Sequence, residues 1–181
     1  MTTTETVVLL DDDGTRLGTA DKATVHTTQT SLHLAFSCHV LNAAGLVLVT
    51  RRSLAKATWP GVWTNSVCGH PAPDEEPTDA VRRRARFELG LELTDLQLVA
   101  PDFRYRATDA SGLVENEICP IYTARAVAEP VPNPDEVMDH AWVTPQGLRT
   151  AITAAPWALS PWLVSSAPHL GRLDDRLVSR S

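Results

Sequence analysis

Apolar residues come in short runs closed by turn signals, and few stretches carry a helical period. Val7 to Leu10 is an apolar run ended by Asp11-Asp12-Asp13-Gly14, which predicts a strand and the start of a hairpin. Residues 18–30 are polar and contain Lys22 and His26. Ser31 to Asn42 reads as a strand, Asn42-Ala43-Ala44-Gly45 as a turn, and Leu46 to Arg52 as the returning strand. Residues 58–70 follow, with Trp59 and Trp63 flanking a Pro60-Gly61 turn signal and a short apolar segment leading to Cys68 and His70. If that segment is extended, Cys68 and His70 share a face, because strand side chains repeat every second residue.

Pro77 to Leu89 is the first clear helix. Val81, Ala85 and Leu89 form its apolar stripe, Pro77 suits its first turn, and Gly90 suits its C-terminal stop. Asp74, Glu75 and Glu76 suit its positive end. Arg84 and Glu88 lie one turn apart beside the stripe, while Arg82, Arg83 and Arg86 face solvent. Asp95 to Arg106 is a strand candidate, Asp109-Ala110-Ser111-Gly112 a hairpin turn, and Leu113 to Ala126 the returning strand. On that strand Glu115 and Glu117 share a face and Asn116 takes the other. A loop with Pro130, Pro132 and Pro134 precedes a strand at Asp139 to Val143. Thr144-Pro145 and Ser160-Pro161 each pair an N-cap with a first-turn proline, predicting helices near 145–154 and 160–166. The order of strands, helix, strands and helices predicts an α+β domain rather than an alternating parallel sheet.

Composition narrows the function classes. The chain of 181 residues suits one domain with a real core. A net charge of -6 gives no general attraction to nucleic acid, so an anionic ligand needs local cations or metal ions. The three cysteines, Cys38, Cys68 and Cys119, are too few for a disulfide scaffold and fit a reducing cytoplasm. The first residues lack a basic and apolar leader pattern, and no apolar run approaches a membrane span of ~20 residues.

His26, His33, Cys68, His70, Glu115 and Glu117 are the candidate metal ligands. Three imidazoles and two carboxylates suit a divalent first-row ion. His26 and His33 are seven apart, so a loop must intervene if both reach one site. Two carboxylates on one strand face repel unless a positive charge lies between them. Cys68 reads about evenly as a small buried hydrophobe or as a functional thiol that binds metal or forms a catalytic pair with His70. Trp162 reads as packing or as an aromatic face for a cation. Tyr105 reads as a buried strand residue or as a phenol orienting a carboxylate.

Gly69, Glu75, Arg83, Ala85, Glu88, Gly90 and Leu91 fall in register with the Nudix box, but Arg84 and Phe87 stand where that box has glutamate. The box glutamates hold metals that activate water, so their loss argues against hydrolysis while keeping the fold. Together with SLHLAFS, VTRRSLAK, WPGVWTNSVCGHP, PDFRYRATDASGLVENEICP and PWALSPW, the chain closely resembles type I isopentenyl-diphosphate delta-isomerases from about residue 7 to about 165. The resemblance implies a Nudix-like mixed β-sheet core flanked by helices over 31–165, an N-terminal strand and hairpin extension over 1–30 that contributes to the site, and a charged tail over 166–181. It implies interconversion of isopentenyl and dimethylallyl diphosphate, with Cys68 and Glu117 catalytic and Tyr105 beside them. It implies Mn²⁺ or another divalent metal on His26, His33, His70, Glu115 and Glu117. It implies Mg²⁺ with the substrate diphosphate, Glu88 and the Cys68 backbone carbonyl. Lys22, Arg52, Lys56 and Arg84 are the implied diphosphate-binding cations, and Trp162 the implied cover of the pocket. The expected partner is a small prenyl diphosphate, with no nucleic acid or membrane, acting on a cytoplasmic monomer or weak homodimer. A Nudix-type diphosphate hydrolase and a non-catalytic module with a structural metal on Cys68 and the histidines are the rival readings.

Overall fold

The computed structural model of the chain describes residues 5–171; of the charged tail expected over 166–181, residues 166–171 instead hold a short 3-10 turn (Ala167–His169) and Leu170, which is buried in the core, and the rest lies outside the described residues. The first hairpin forms as expected, with β1 (Thr6–Leu10) antiparallel to β2 (Arg16–Asp21). The polar stretch after it holds a short helix without periodic signal, α1 (Lys22–Val25), started by Asp21, whose carboxylate accepts the Ala23 N–H at 2.8 Å.

The Ser31–Asn42 stretch is two strands, β3 (His33–Leu34) and β4 (Phe36–Leu41), followed by β5 (Val47–Arg52). β6 (Trp63–Thr64) and β7 (Val67–Gly69) lead to α2 (Pro77–Leu89). The Asp95–Arg106 stretch divides into the end of β8 (Leu93–Ala100) and β9 (Arg104–Thr108). The Leu113–Ala126 stretch divides into β10 (Val114–Ile118) and β11 (Ile121–Ala126). β12 (Val137–Val143), α3 (Pro145–Ala154) and α4 (Pro161–Ser165) complete the order.

Each of the three divided strands leaves one sheet and enters the other. β2-β1-β3-β10-β9 form one sheet, and β12-β5-β4-β11-β8 form the second, with β6 on β5 and β7 on β4. The breaks fall at Ala35, at Pro101–Phe103 and at Cys119–Pro120. Pro101 and Pro120 have no N–H to give a ladder, so a strand running through either loses a bond. The crossings bind one another instead. The Ala35 N–H donates to the Ile118 carbonyl at 2.9 Å, Cys119 to Phe103 at 2.8 Å, and Ser37 to Pro120 at 3.0 Å. Ala35, Val99, Ala100, Phe103, Cys119 and Ile121 fill the bend as a buried apolar cluster.

The second sheet is covered on both faces. Val81, Ala85 and Leu89 of α2 pack on Phe36, Cys38, Val40, Leu48, Tyr122 and Ala124. Full burial of each such Val or Leu contributes about 1.5–3 kcal/mol. Leu148 and Ile152 of α3 and Leu163 of α4 pack on Leu41, Val47 and Val49 across the sheet. Gly90, at φ 61°, closes α2 in the left-handed conformation, and its N–H donates to the Arg86 carbonyl at 3.0 Å. No helix among the described residues is long and apolar enough to cross a membrane.

One core residue makes stability depend on pH. His39 on β4 faces Thr123 on β11, and neither His39 ring nitrogen nor the Thr123 hydroxyl has a hydrogen-bond partner among the described residues. Burial lowers the His39 pKa to about 4. The unfolded chain takes up this proton near its ordinary pKa of ~6.5, before the folded chain does. Stability is therefore lost as pH falls from about 7 toward 4, by about 2 kcal/mol between about pH 7.5 and about pH 5. Urea unfolding should show His39→Leu gaining that amount relative to the unmodified protein over this interval. Parallel pH profiles for the two proteins would refute this role of His39.

Candidate active site

A cavity of about 290 Å³ opens where β7 and β10 approach from the two sheets. Cys68 and His70 both line it, as alternation along an extended segment requires.

One wall is a set of imidazoles. His26 caps the C-terminus of α1, His33 lies in β3, and His70 follows β7. The loop between His26 and His33 is tied to β10, because Val114 N–H donates to Thr27 O at 2.8 Å and Asn116 Nδ2 to Thr30 O at 3.1 Å. One atom each from His26, His33, His70 and Glu117 lie within 4.8 Å of one another. His33 Nδ1 is 2.9 Å from the Ser31 carbonyl, which only accepts, so its N–H points there and its Nε2 lone pair faces the cluster. His26 Nε2, His33 Nε2 and His70 Nδ1 are buried with no hydrogen-bond partner among the described residues. Orphaned imidazole nitrogens around a carboxylate are the donor set a divalent ion takes, so the residues fit such an ion.

Glu117 Oε1 lies 3.0 Å from His70 Nε2 and 3.4 Å from His33 Nε2. Burial pushes the Glu117 carboxyl up, but the two imidazoles outweigh it and hold the group well below the usual carboxylate range. Burial pulls His33 down, yet Glu117 raises it on balance, whereas for His70 burial prevails and lowers it. Glu115 stands at the edge of this group. Its Oε1 accepts from Thr58 Oγ1 at 2.7 Å, and its Oε2 lies 3.3 Å from the Tyr105 hydroxyl and 3.5 Å from His26 Nε2.

The thiol belongs to a different set of bonds. Cys68 is placed by the β7–β4 pairing, opposite Ser37. Its Sγ is 3.0 Å from Asn65 Oδ1, and burial pushes the thiol up to about 12, so it holds its proton at neutral pH. Trp162 comes from α4, whose start is fixed by Ser160. The Ser160 N–H donates to Trp63 O at 2.8 Å, and its hydroxyl lies 2.7 Å from Thr64 Oγ1. The buried indole stands edge to face with Trp59 at 5.4 Å and 5.7 Å from the Tyr105 ring. The Arg52 guanidinium lies 5.3 Å from its centroid. Burial holds the Tyr105 phenol well above its ordinary pKa, so it remains a neutral donor.

Lys22, Arg52, Lys56 and Arg84 line the same cavity, as does Glu88. Arg52 donates to the Thr58 carbonyl at 2.8 Å. Lys22 pairs with Glu5, and Lys56 with Glu136. Arg84 pairs with Glu88 one turn along α2, with Glu136 at 3.1 Å and with Glu5 at 3.7 Å. The two positions that depart from the box motif point different ways. Arg84 points into the cavity, whereas Phe87 is half exposed, with the Arg84 guanidinium 5.0 Å from its ring. Glu75 and Arg83 serve the loop. They bond each other at 2.7 Å through two contacts, Glu75 accepts the Ala72 N–H at 2.8 Å, and Arg83 donates to the His70 carbonyl at 3.2 Å.

The structure thus brings Cys68, Glu117, Tyr105, Lys22, Arg52, Lys56, Arg84, Trp162, His26, His70, Glu115 and Glu88 to one cavity, with His33 behind its wall. Asn65, Glu136 and Thr58 join them, and Glu5 pairs with Lys22 and Arg84 from beside the cavity, without any signal in the sequence pattern. Glu136 sits in the proline-rich loop and Glu5 ahead of the first strand, where no periodicity marks a site. Asn65 lies within the Thr-Asn-Ser-Val-Cys stretch, but only tertiary contacts show its bonds.

Residues 31–163 match the family described as NUDIX domain. The chain is 64% identical over 177 residues to an isopentenyl-diphosphate Delta-isomerase of Agromyces mediolanus, covering 96% of this chain and 86% of that protein. It is 56% identical over 165 residues to the protein of that name from Citrobacter koseri, covering 91% of each. Among solved structures, DR0079 from Deinococcus radiodurans superposes with a TM-score of 0.71 at 22% identity, over 91% of this chain and 98% of that one. A MutT protein from Methanosarcina mazei superposes at 0.60 with 19% identity, over 82% and 96%. At such identities these two likenesses concern the fold.

Gly69 explains why the loop can close on α2. A Cβ there would lie 2.8 Å from Arg84 Cγ and 3.1 Å from the Phe36 ring. Gly69→Ala should therefore cost about 1–3 kcal/mol in chemical denaturation, through displacement of the fully buried Phe36. A loss below about 0.5 kcal/mol would show that the contact is relieved without cost.

Proposed function

The chain belongs to the NUDIX domain family and, within it, to the isopentenyl-diphosphate Delta-isomerases, and on that premise we propose that Cys68 and Glu117 carry its proton transfers. The reaction interconverts isopentenyl diphosphate and dimethylallyl diphosphate in isoprenoid biosynthesis. The observation that carries the residue assignment is one cavity holding a thiol, an imidazole-flanked carboxylate and four cations.

An isolated alkene is a very weak base. A proton is added at the terminal carbon of isopentenyl diphosphate, leaving a tertiary carbocation, and another is removed from the carbon on its far side. The double bond moves and no atom is lost. This needs an acid and a base on opposite faces of the substrate. Cys68 on β7 and Glu117 on β10 belong to different sheets and border the same space. With the thiol protonated and the carboxylate ionised, the pair has one proton to exchange, and the two residues trade roles with direction. Tyr105 orients Glu115 beside them.

The carbocation requires a dry wall. Trp162 supplies one, and its ring already attracts the Arg52 guanidinium; the same π density would stabilise a carbocation by about 2 kcal/mol when desolvated. Lys22, Arg52, Lys56 and Arg84 would grip the diphosphate with charge-assisted bonds, displacing Glu5 and Glu136 from the cations they now occupy. This grip keeps a good leaving group attached to the allylic product. Residues before position 31 are part of the site in this reading, because Lys22 and His26 line the cavity.

We assign Mn²⁺ or a similar ion to His26, His33, His70, Glu115 and Glu117, and Mg²⁺ to Glu88, the Cys68 carbonyl and the diphosphate. Such ions would keep Glu117 ionised and neutralise phosphate charge. Three free thiols, Cys38, Cys68 and Cys119, fit the cytoplasmic home of this proposal, and the working unit is taken to be a monomer or weak homodimer.

Cys68→Ala and Glu117→Gln should each lower the isomerisation rate by roughly a thousandfold or more while thermal unfolding stays cooperative. His33→Ala should lower divalent-metal affinity by about tenfold or more in a competition titration. A retained rate in Cys68→Ala or Glu117→Gln would exclude the substituted residue from the proton transfers, and steady phosphate release from isopentenyl diphosphate would support hydrolysis instead.

A further inference from the structure

We propose that Asn65 is a positioning residue that holds the Cys68 thiol and the Trp162 indole on a single side-chain oxygen; the proposal rests on the proton-transfer role of Cys68.

Asn65 is fully buried between β6 and β7, and its amide has every bond it can make. The two N–H groups of Nδ2 are shared among the Val67 carbonyl at 2.9 Å, Ser37 Oγ at 2.9 Å and the Cys38 carbonyl at 3.2 Å. Oδ1 receives Trp162 Nε1–H at 3.0 Å, Thr64 Oγ1 at 2.9 Å and Cys68 Sγ at 3.0 Å. Chemistry fixes which end of the amide is which. Backbone carbonyls only accept and an indole N–H only donates. A flipped amide would set its oxygen against two carbonyls and its nitrogen against the indole N–H, all buried. The atom facing the sulfur is therefore an acceptor, and the S–H is directed at it.

Two consequences follow for turnover. The oxygen fixes the sulfur's place at the cavity wall and the direction of its S–H bond. The same atom also joins two distant parts of the chain, since Trp162 stands 97 residues from Asn65. Thiol and aromatic wall cannot shift independently, which keeps the acid at a constant distance from the surface that shelters the carbocation. The diphosphate anchors are not among these bonds, and only Arg52 touches them through the Trp162 ring, so the effect falls mainly on turnover rather than on substrate affinity.

The test uses steady-state kinetics of Asn65→Leu and Asn65→Ser beside Cys68→Ala, with the metal content of each measured. For the Asn65 variants kcat should fall by roughly a hundredfold, with KM for isopentenyl diphosphate within about threefold and metal content unchanged. A kcat within about threefold of the unmodified enzyme, or a rise in KM that accounts for the whole loss in kcat/KM, overturns the proposal. Should both variants fail to fold, the unmodified protein decides. The S–H stretching band of Cys68, isolated by Raman difference against Cys68→Ala, should be shifted to lower frequency than that of a free thiol, and an unshifted band overturns the proposal. Retained activity in Cys68→Ala would instead refute the role of Cys68, whereas an inactive Cys68→Ala with fully active Asn65 variants refutes only the positioning role.

Discussion

Where the chain passes between its two sheets, at Ala35, at Pro101–Phe103 and at Cys119–Pro120, the crossings hydrogen-bond to one another rather than ending in solvent. This constraint places the chemistry. The Ala35 to Ile118 and Cys119 to Phe103 bonds help set β3 and β10 against β4 and β7. His33 and Glu117 come from the first pair and Cys68 from the second, with His70 just beyond it. The bend is packed with small and aromatic side chains, so its geometry is held by burial as well as by bonds. A cleft at such a seam can present groups to both faces of a thin substrate, which neither sheet could do alone.

The helix beside the cleft shows how a hydrolytic motif is turned to another use. Gly69, Glu75 and Arg83 keep the backbone approach and the loop bonds that carry His70. At the two divergent positions, one side chain faces the cavity and the other faces outward. Arg84 brings a buried guanidinium to a position where the box motif has glutamate, and in the proposed reading it serves as an anchor for the diphosphate. Phe87 lies against that guanidinium from outside. The change leaves the helix stripe of Val81, Ala85 and Leu89 untouched, so the fold is retained.

Periodicity makes the helices legible to within a residue or two, because proline, N-cap and glycine signals mark their ends. It misreads three long strands as continuous. Alternation of apolar and polar residues continues through a sheet-to-sheet crossing, and only Pro101 and Pro120 hint at breaks. α1 escapes notice because four residues carry no period. At the site, alternation places Cys68 with His70 and Glu115 with Glu117, but the gathering of His26, His33 and the four cations comes from resemblance. Asn65 and Glu136 act through bonds to residues far away in sequence, at separations of 97 and 80 positions among others, which no local pattern reports.

The central claim is that protons reach and leave the substrate through two side chains rather than moving within it. Incubating the enzyme with isopentenyl diphosphate in D₂O, with divalent metal and after chelation, tests this directly. Deuterium should enter both isomers while the diphosphate stays attached, and incorporation should stop on chelation and return with added metal. Isomerisation without any deuterium in the product would contradict the account.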